Sequence, residues 1–383
     1  MNTASESPVS PGFLPAEIRR LVIKIGSALL VDPVGEIREA WLRTVAADIA
    51  ARCAAGQQVI VVSSGAIALG ARRLGLPKGG RGSLDDAQAA AAVGQIALSQ
   101  AWATLLGERD LAAAQILVTL DDLENRRRYL NASATLERLL GLGIVPVVNE
   151  NDSVATAEIR FGDNDRLAAR IGQAARADAV VLLSDVDGLY TANPQVDPAA
   201  KLVERVDRID SGIAAMADGG SASGMGSGGM LSKIEAARIA TGAGAHLAII
   251  SGHEPSPLSH WETLGRGTIF HAAPGKRARK TWLAGRLTTR GAVVVDAGAA
   301  SALQRGNSLL PAGVVEVRGA FARGDVIDIV HADGMTLARG LAEYDATDAM
   351  RIAGRRSEDI AGILGSVPRS VLVHRDHMVM LDA

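Results

Sequence analysis

Apolar positions gather into short runs that end on polar residues through the first two thirds of the chain. LVIKIG from Leu21, QVIVVSSG from Gln58, QILVT from Gln115, GIVPVVNEND from Gly143, DAVVLLSDVDG from Asp178 and HLAIISG from His246 share this form. Between most of them lie Ala/Leu-rich stretches with apolar residues at helical spacing, such as EAWLRTVAADIAARCAAG and NASATLERLLGLG. In the second, Asn131 or Ser133 is placed to cap the helix start. Strands apolar on both faces, alternating with helices, predict a mostly parallel sheet covered on both sides. In such sheets ligands sit beyond the carboxyl ends of the strands. The polar ends of these runs are therefore where chemistry is expected.

The texture changes after His271. HAAPGKRARKTWLAGRLTTR, residues 271–290, holds six basic residues and no acidic one, and reads as a connector. Beyond it, short apolar runs separated by glycine turns, closing with VLVHRDHMVML, predict a small, mostly β domain over 291–383. The organisation expected is a disordered polar tail over 1–20, an α/β domain over 21–270, a basic linker over 271–290 and the β domain.

Composition narrows the classes. The 383 residues suit two domains; 48% are hydrophobic but only 3% aromatic, so the core must be built from Ala, Val, Leu and Ile. A formal net charge of −2 gives no broad attraction to nucleic acid or anionic membrane. The single cysteine, Cys53, excludes an intramolecular disulfide and a cysteine-cluster metal site, and reads as a small apolar residue. No apolar run approaches the roughly 20 residues of a membrane span. The N-terminus lacks the basic start and apolar block of a secretory signal. A soluble cytoplasmic protein is the expectation. All seven histidines lie at or beyond His246, so chemistry in the first 245 residues uses neither a histidine base nor a His-ligated metal.

Several run ends carry candidate chemistry. Lys24 lies inside an apolar strand, where an ammonium is costly unless an anion meets it. SSGA, Ser63 to Ala66, reads as a strand-to-helix turn whose amides and hydroxyls suit a carboxylate or phosphate; a plain N-cap explains it equally well. NENDSVAT and FGDND bring Glu150, Asp152, Asp163, Asn164 and Asp165 near one strand end. A solvated acidic loop accounts for the carboxylates, whereas the amides of Asn149 and Asn164 point to recognition, since they donate and accept. SDVDGLYTANP places Asp185, Asp187 and Gly188 in a turn, with Tyr190 and Pro194 as candidates to flank a nucleotide base. GSGGMLSKIEAA, Gly226 to Ala237, fits neither the lysine-containing phosphate loop nor, lacking a preceding strand, a dinucleotide turn. A mobile glycine loop with Lys233 behind it suits a triphosphate that must enter and leave.

Two lysines, a glycine loop, helix starts and carboxylates are the parts of phosphoryl transfer, in which fixed cations and N–H groups stabilise spreading negative charge. Without histidine, a substrate carboxylate is the favoured nucleophile, being ionised already at neutral pH with a pKa of about 4.3.

KIGS, VSSGAIALG, PVVNENDSVAT with FGDND, LLSDVDGLYTANP and GSGGMLSK stand in the order found in bacterial glutamate 5-kinases. The chain resembles that family from Leu21 onward, and its C-terminal segment resembles a PUA domain. The resemblance implies an open three-layer α/β/α sandwich of the amino acid kinase type, with a mainly parallel sheet. It implies ATP- and Mg²⁺-dependent phosphorylation of the side-chain carboxylate of L-glutamate, the first step of proline synthesis, with feedback by proline and a dimeric or tetrameric assembly. By position, Lys24 and Lys233 would stabilise the phosphoryl group in flight and Asp165 would hold the lysines. Ser64, Asp152 and Asn164 would bind glutamate. Lys24, Ser184, Asp185 and the loop Ser227, Gly228, Gly229, Met230, Leu231, Ser232 and Lys233 would bind ATP. Two other readings stand beside this: a sister kinase acting on another carboxylate or carbamate, and a PUA-type RNA-binding protein. Against the latter, residues 291–383 carry nine arginines and no lysine against twelve acidic residues, a net −3.

Overall fold

The computed structural model describes residues 12–154, 163–218, 229–272, 289–365 and 370–381. All six apolar runs are strands: β1 (Arg20–Ile25), β2 (Gln58–Val62), β3 (Ala113–Val118), β4 (Val145–Glu150), β5 (Ala179–Ser184) and, after the two-residue β6 (Arg205–Val206), β7 (His246–Ser251). With β8 (Thr268–Phe270) they form one eight-stranded sheet in the order β3-β4-β2-β1-β5-β7-β8-β6. The first six in that order run parallel. β8 is antiparallel to β7, and β6 follows β8. β1 sits centrally, with β2 on one side and β5 on the other, so the connections leave it in opposite directions. That is the switch point at which open α/β sheets open a ligand crevice.

Strand alternation sorts the two faces. Leu21, Ile23 and Ile25 of β1 share a core with Val59, Val61, Val181 and Leu183, and with Leu42, Ile49, Leu98 and Trp102 from helices Glu39–Ala54 and Leu84–Gly107. Val22 and Lys24 point the other way. There helix Asp163–Ala174 lies so close that a Cβ on Gly172 would stand 2.9 Å from Val180. Helix Met230–Gly242 packs beside it, burying Lys233, Ile234, Ala236, Ala237 and Ala240. Two helical layers thus flank a mainly parallel sheet, as expected.

Three expectations need correction. The polar tail ends before residue 20: Phe13 and Ile18 are buried, Arg52 donates to the carbonyls of Gly12 and Phe13, and Gln57 donates to those of Phe13 and Ile18. Neither Asn131 nor Ser133 caps a helix, because the helix begins at Arg126; buried Ser133 instead donates its hydroxyl to the Ala174 carbonyl. One helix, Leu84–Gly107, is long and apolar enough by length and composition to cross a membrane. Gln, Ser and Thr interrupt its sequence, so it holds no unbroken apolar run of that length. Its face bearing Leu98, Trp102, Leu105 and Leu106 is buried in the core of the α/β unit.

The described residues fall into two compact units, the second also taking in Asn125–Leu130. The second carries a five-stranded sheet: β9 (Gly291–Val295), β10 (Val314–Gly319), β11 (Val326–His331), β12 (Thr336–Leu341) and β13 (Met378–Met380), in the order β10-β9-β11-β12-β13. It has its own core, including Val293, Val295, Ile327, Ile329, Leu337 and Val373.

Candidate active site

The carboxyl ends of β1, β2, β4 and β5 carry the predicted polar residues, and the two helices over the Lys24 face complete the site. Asp165 is the third residue of helix Asp163–Ala174, in a first turn that favours negative charge. Lys233 is the fourth residue of helix Met230–Gly242. Lys24 Nζ lies 2.5 Å from Asp165 Oδ1, and Lys233 Nζ lies 2.9 Å from Asp165 Oδ2. The two lysines, 209 positions apart in sequence, therefore converge on the two oxygens of one carboxylate. All three side chains are buried, at 7%, 0% and 6% exposure for Lys24, Asp165 and Lys233.

Burial here works against each charge. It pushes the Lys24 ammonium below the ordinary lysine range, a shift opposed by Asp165 and reinforced by Lys233. For Asp165, burial alone would raise the pKa, but the two ammonium groups outweigh it and hold the carboxyl below the usual range. Such a trio is expensive to form, and stability alone is a weak reason to keep it. Two cations in direct contact with one carboxylate are instead suited to receive a further, multiply charged anion.

A second pair stands next to this trio. Asn164 Nδ2 donates to Ser64 Oγ at 2.6 Å, joining the SSGA turn to the start of helix Asp163–Ala174. Gly65 adopts φ +101°, and helix Ala66–Leu74 starts immediately after it, so the serine is delivered by a sharp strand-to-helix turn; neither serine caps the helix with its side chain. Asn149, the fifth residue of β4, is buried. The Oδ1 atoms of Asn149 and Asn164 are both buried with no hydrogen-bond partner among the described residues. Asp152, past the end of β4, has its carboxyl pushed up by burial to about 6.

At the end of β5, buried Ser184 donates to Asp185 Oδ1 at 3.0 Å, and exposed Asp185 acts on Lys24 as a further, weaker negative charge. Tyr190, a candidate to flank a base, has its hydroxyl tied to Asp187 and to Arg266 Nη2 at 2.9 Å. In the glycine loop, Gly229 precedes the helix and Met230, Leu231 and Ser232 form its first turn, with Leu231 half exposed. Ser227 and Gly228 lie outside the described residues.

The profile of the Amino acid kinase family matches residues 19–251, and that of the PUA domain matches residues 291–364. A protein of Zymomonas mobilis subsp. mobilis named glutamate 5-kinase is 64% identical over 369 residues, covering 96% of this chain and 93% of its own. One of the same name from Sphingopyxis alaskensis is 65% identical over 369 residues, covering 96% and 99%. A third, from Novosphingobium aromaticivorans, is 61% identical over 362 residues, covering 94% and 96%.

Proposed function

We propose, for a chain that belongs to the amino acid kinase family and within it to the glutamate 5-kinases, that it transfers the terminal phosphoryl group of ATP to the side-chain carboxylate of L-glutamate. The observation that carries this reading is the Lys24–Asp165–Lys233 trio at the carboxyl end of the central strand. Lys24 and Lys233 stabilise the charge that spreads over the transferred group, and Asp165 holds both ammonium groups to one geometry. Ser64, Asn164 and Asp152 hold the amino acid, the carboxylate of Asp152 suiting an ammonium. Ser184, Asp185 and the first turn of helix Met230–Gly242, with the glycines before it, hold the nucleotide.

A glutamate carboxylate oxygen attacks the terminal phosphorus, the bond from that phosphorus to the ADP oxygen breaks, and glutamyl 5-phosphate and ADP result. No protein base is needed, because the nucleophile carries no proton at neutral pH. Among the described residues no group of three or more His, Cys, Asp or Glu side chains is arranged to hold a metal ion. Mg²⁺ would arrive with the nucleotide, largely on its phosphate oxygens, and would neutralise part of their charge. The same reading makes this the first step of proline synthesis, carried out in the cytoplasm by a dimer or tetramer under feedback by proline.

Hydroxylamine trapping tests it. Purified protein with ATP, Mg²⁺ and L-glutamate should yield the γ-glutamyl hydroxamate, and omitting glutamate should abolish ADP formation. Turnover on another amino acid with no hydroxamate from glutamate would transfer the assignment to a sister kinase.

A further inference from the structure

Helix Leu84–Gly107 was not among the sequence's candidates for chemistry, yet one face of it reaches the ends of two strands that carry the site. Gln95 Oε1 accepts from Asn149 Nδ2 at 2.8 Å, and Gln95 Nε2 donates to Ser99 Oγ, one turn further along, at 3.2 Å. Two turns from Gln95, Trp102 Nε1 donates to Ser63 Oγ at 3.1 Å. Gln95 and Trp102 are both buried. β2 and β4 are neighbours here: Val62 pairs with Val148, and the Ser63 amide donates to the Val148 carbonyl. Asn149 thus lies beside the serine turn whose next residue, Ser64, accepts from Asn164.

The helix cannot drift from this position. A Cβ on Gly94 would lie 1.8 Å from the Ala66 carbonyl oxygen, and one on Gly70 would lie 1.7 Å from that of Ala90. Backbone therefore meets backbone where helix Leu84–Gly107 crosses the helix that follows the SSGA turn. Gln95, the residue after Gly94, is set by that crossing.

We infer that Gln95 is a positioning residue for the amino-acid subsite: by accepting from the Asn149 amide nitrogen, it leaves the Asn149 carbonyl oxygen as an acceptor reserved for a donor on the bound amino acid. Asn149 Oδ1 is buried and has no partner among the described residues, which costs stability unless a ligand fills it. Asn164 Oδ1 is in the same condition. Two unfilled acceptors, one at the end of β4 and one in the first turn of helix Asp163–Ala174 beside the serine turn after β2, with the Asp152 carboxyl nearby in sequence, match an ammonium group. Without the Gln95 oxygen, the Asn149 amide is free to rotate and present a second donor in place of the acceptor.

This inference rests on glutamate being the substrate. The test compares Gln95→Leu with Gln95→Glu, which keeps an acceptor oxygen but offers no amide donor. Gln95→Leu should raise the glutamate KM about tenfold, equivalent to about 1.4 kcal/mol, with ATP KM and kcat changed less than about twofold. Gln95→Glu should restore most of the glutamate affinity. Glutarate, which lacks the ammonium, should inhibit wild type and Gln95→Leu equally. Gln95→Met serves the same comparison if the leucine variant is insoluble. An unchanged glutamate KM in an active variant overturns the inference. So do equal losses for ATP and glutamate, a glutamate substitution as damaging as leucine, or glutarate binding that falls with the variant. Wild-type protein inert on glutamate overturns the functional reading itself and this inference with it.

Discussion

β1 buries two cations, and they could hardly be treated more differently. Arg20 and Lys24 are both 7% exposed, on one strand four residues apart. Arg20 is surrounded by acceptors: its guanidinium meets Gln58 Oε1 at 2.9 and 2.8 Å, Glu137 Oε2 at 3.0 Å and the Ala175 carbonyl oxygen. Its own backbone amide donates to Asp178 at 3.0 Å. Lys24, at the opposite end, meets the carboxylate of Asp165 and shares it with Lys233. Burial alone does not mark a functional cation. What separates the two is the kind of partner: Arg20 meets a planar set of acceptors with no second cation among them, whereas Lys24 shares its carboxylate with another buried ammonium. On this comparison Arg20 is a structural clamp, whereas the place of Lys24 beside a second ammonium fits the proposed role of meeting an incoming anion.

Substitution at the two ends should separate these roles most sharply. Lys233→Ala should lower turnover by about 10³-fold, the range for removing a cation that acts on a transferred phosphoryl group. Glutamate should still bind, as measured by isothermal titration. Arg20→Ala should leave turnover of the folded enzyme within about twofold but cost about 2 kcal/mol of stability, read as a lower thermal midpoint, because several charge-assisted hydrogen bonds are lost. If Lys233→Ala lost glutamate binding yet turned over normally at saturation, or if Arg20→Ala abolished turnover in a folded protein, the comparison would fail.

The pattern of apolar runs disclosed the six parallel strands because each is long enough to show its period and ends on residues that break it. β6 and β8 stayed hidden: two and three residues carry no period. The helix over Arg126–Gly141 begins with three arginines that carry no start signal, whereas Asn131 and Ser133, whose side chains could cap, lie inside it. Phe13 could not be placed because its burial depends on Arg52 and Gln57, some 40 residues away. In the site, Lys24 was legible as a charge in an apolar strand, and Lys233 as a lysine behind a glycine loop. That they meet on one carboxylate is a tertiary fact, settled by two helices packing on the same sheet face. Gln95 left only a faint trace, a glutamine following a glycine in an alanine-rich helix, and its meaning depends on the helix crossing.

A second contrast lies between carboxyls, and pH sharpens it. Asp165 is held below the usual range by its two lysines, after its own burial has been overcome, and stays ionised. Burial pushes Asp152 from 3.8 up to about 6. A carboxyl with a raised folded pKa binds more protons folded than unfolded, so the free protein loses stability as pH rises from about 4 to 6. An ammonium needs the ionised form, so glutamate affinity should run the other way. The glutamate KM should rise as pH falls through about 6, by up to about tenfold per pH unit, while glutamate's own side chain remains ionised down to about 5. Asp152→Asn should bind glutamate weakly at every pH and lose this step. A wild-type KM that is flat from pH 5 to 8, or a step that survives in Asp152→Asn, would remove Asp152 from the amino-acid subsite.

The smallest effect is expected from the largest change, removal of the C-terminal unit. Every residue assigned to phosphoryl transfer, glutamate or nucleotide lies between Lys24 and Lys233. The core of the α/β unit, running from Phe13 to Ile269, shares no residue with the core from Val293 to Met378. Among the described residues, β9 to β13 pair only among themselves. The segment that the PUA profile matches carries a net −3, which gives it no broad attraction to a phosphate backbone, so nucleic acid is a poor candidate for its partner. A chain ending near Ala284 should therefore keep its glutamate-dependent kcat/KM within about twofold, measured by the hydroxamate assay on protein shown to be folded by its thermal transition. A folded truncation without activity would mean that the second unit completes the site or the assembly on which the site depends. Tight, saturable RNA binding by the full chain at physiological salt, lost on truncation, would instead give that unit a partner that its charge does not suggest.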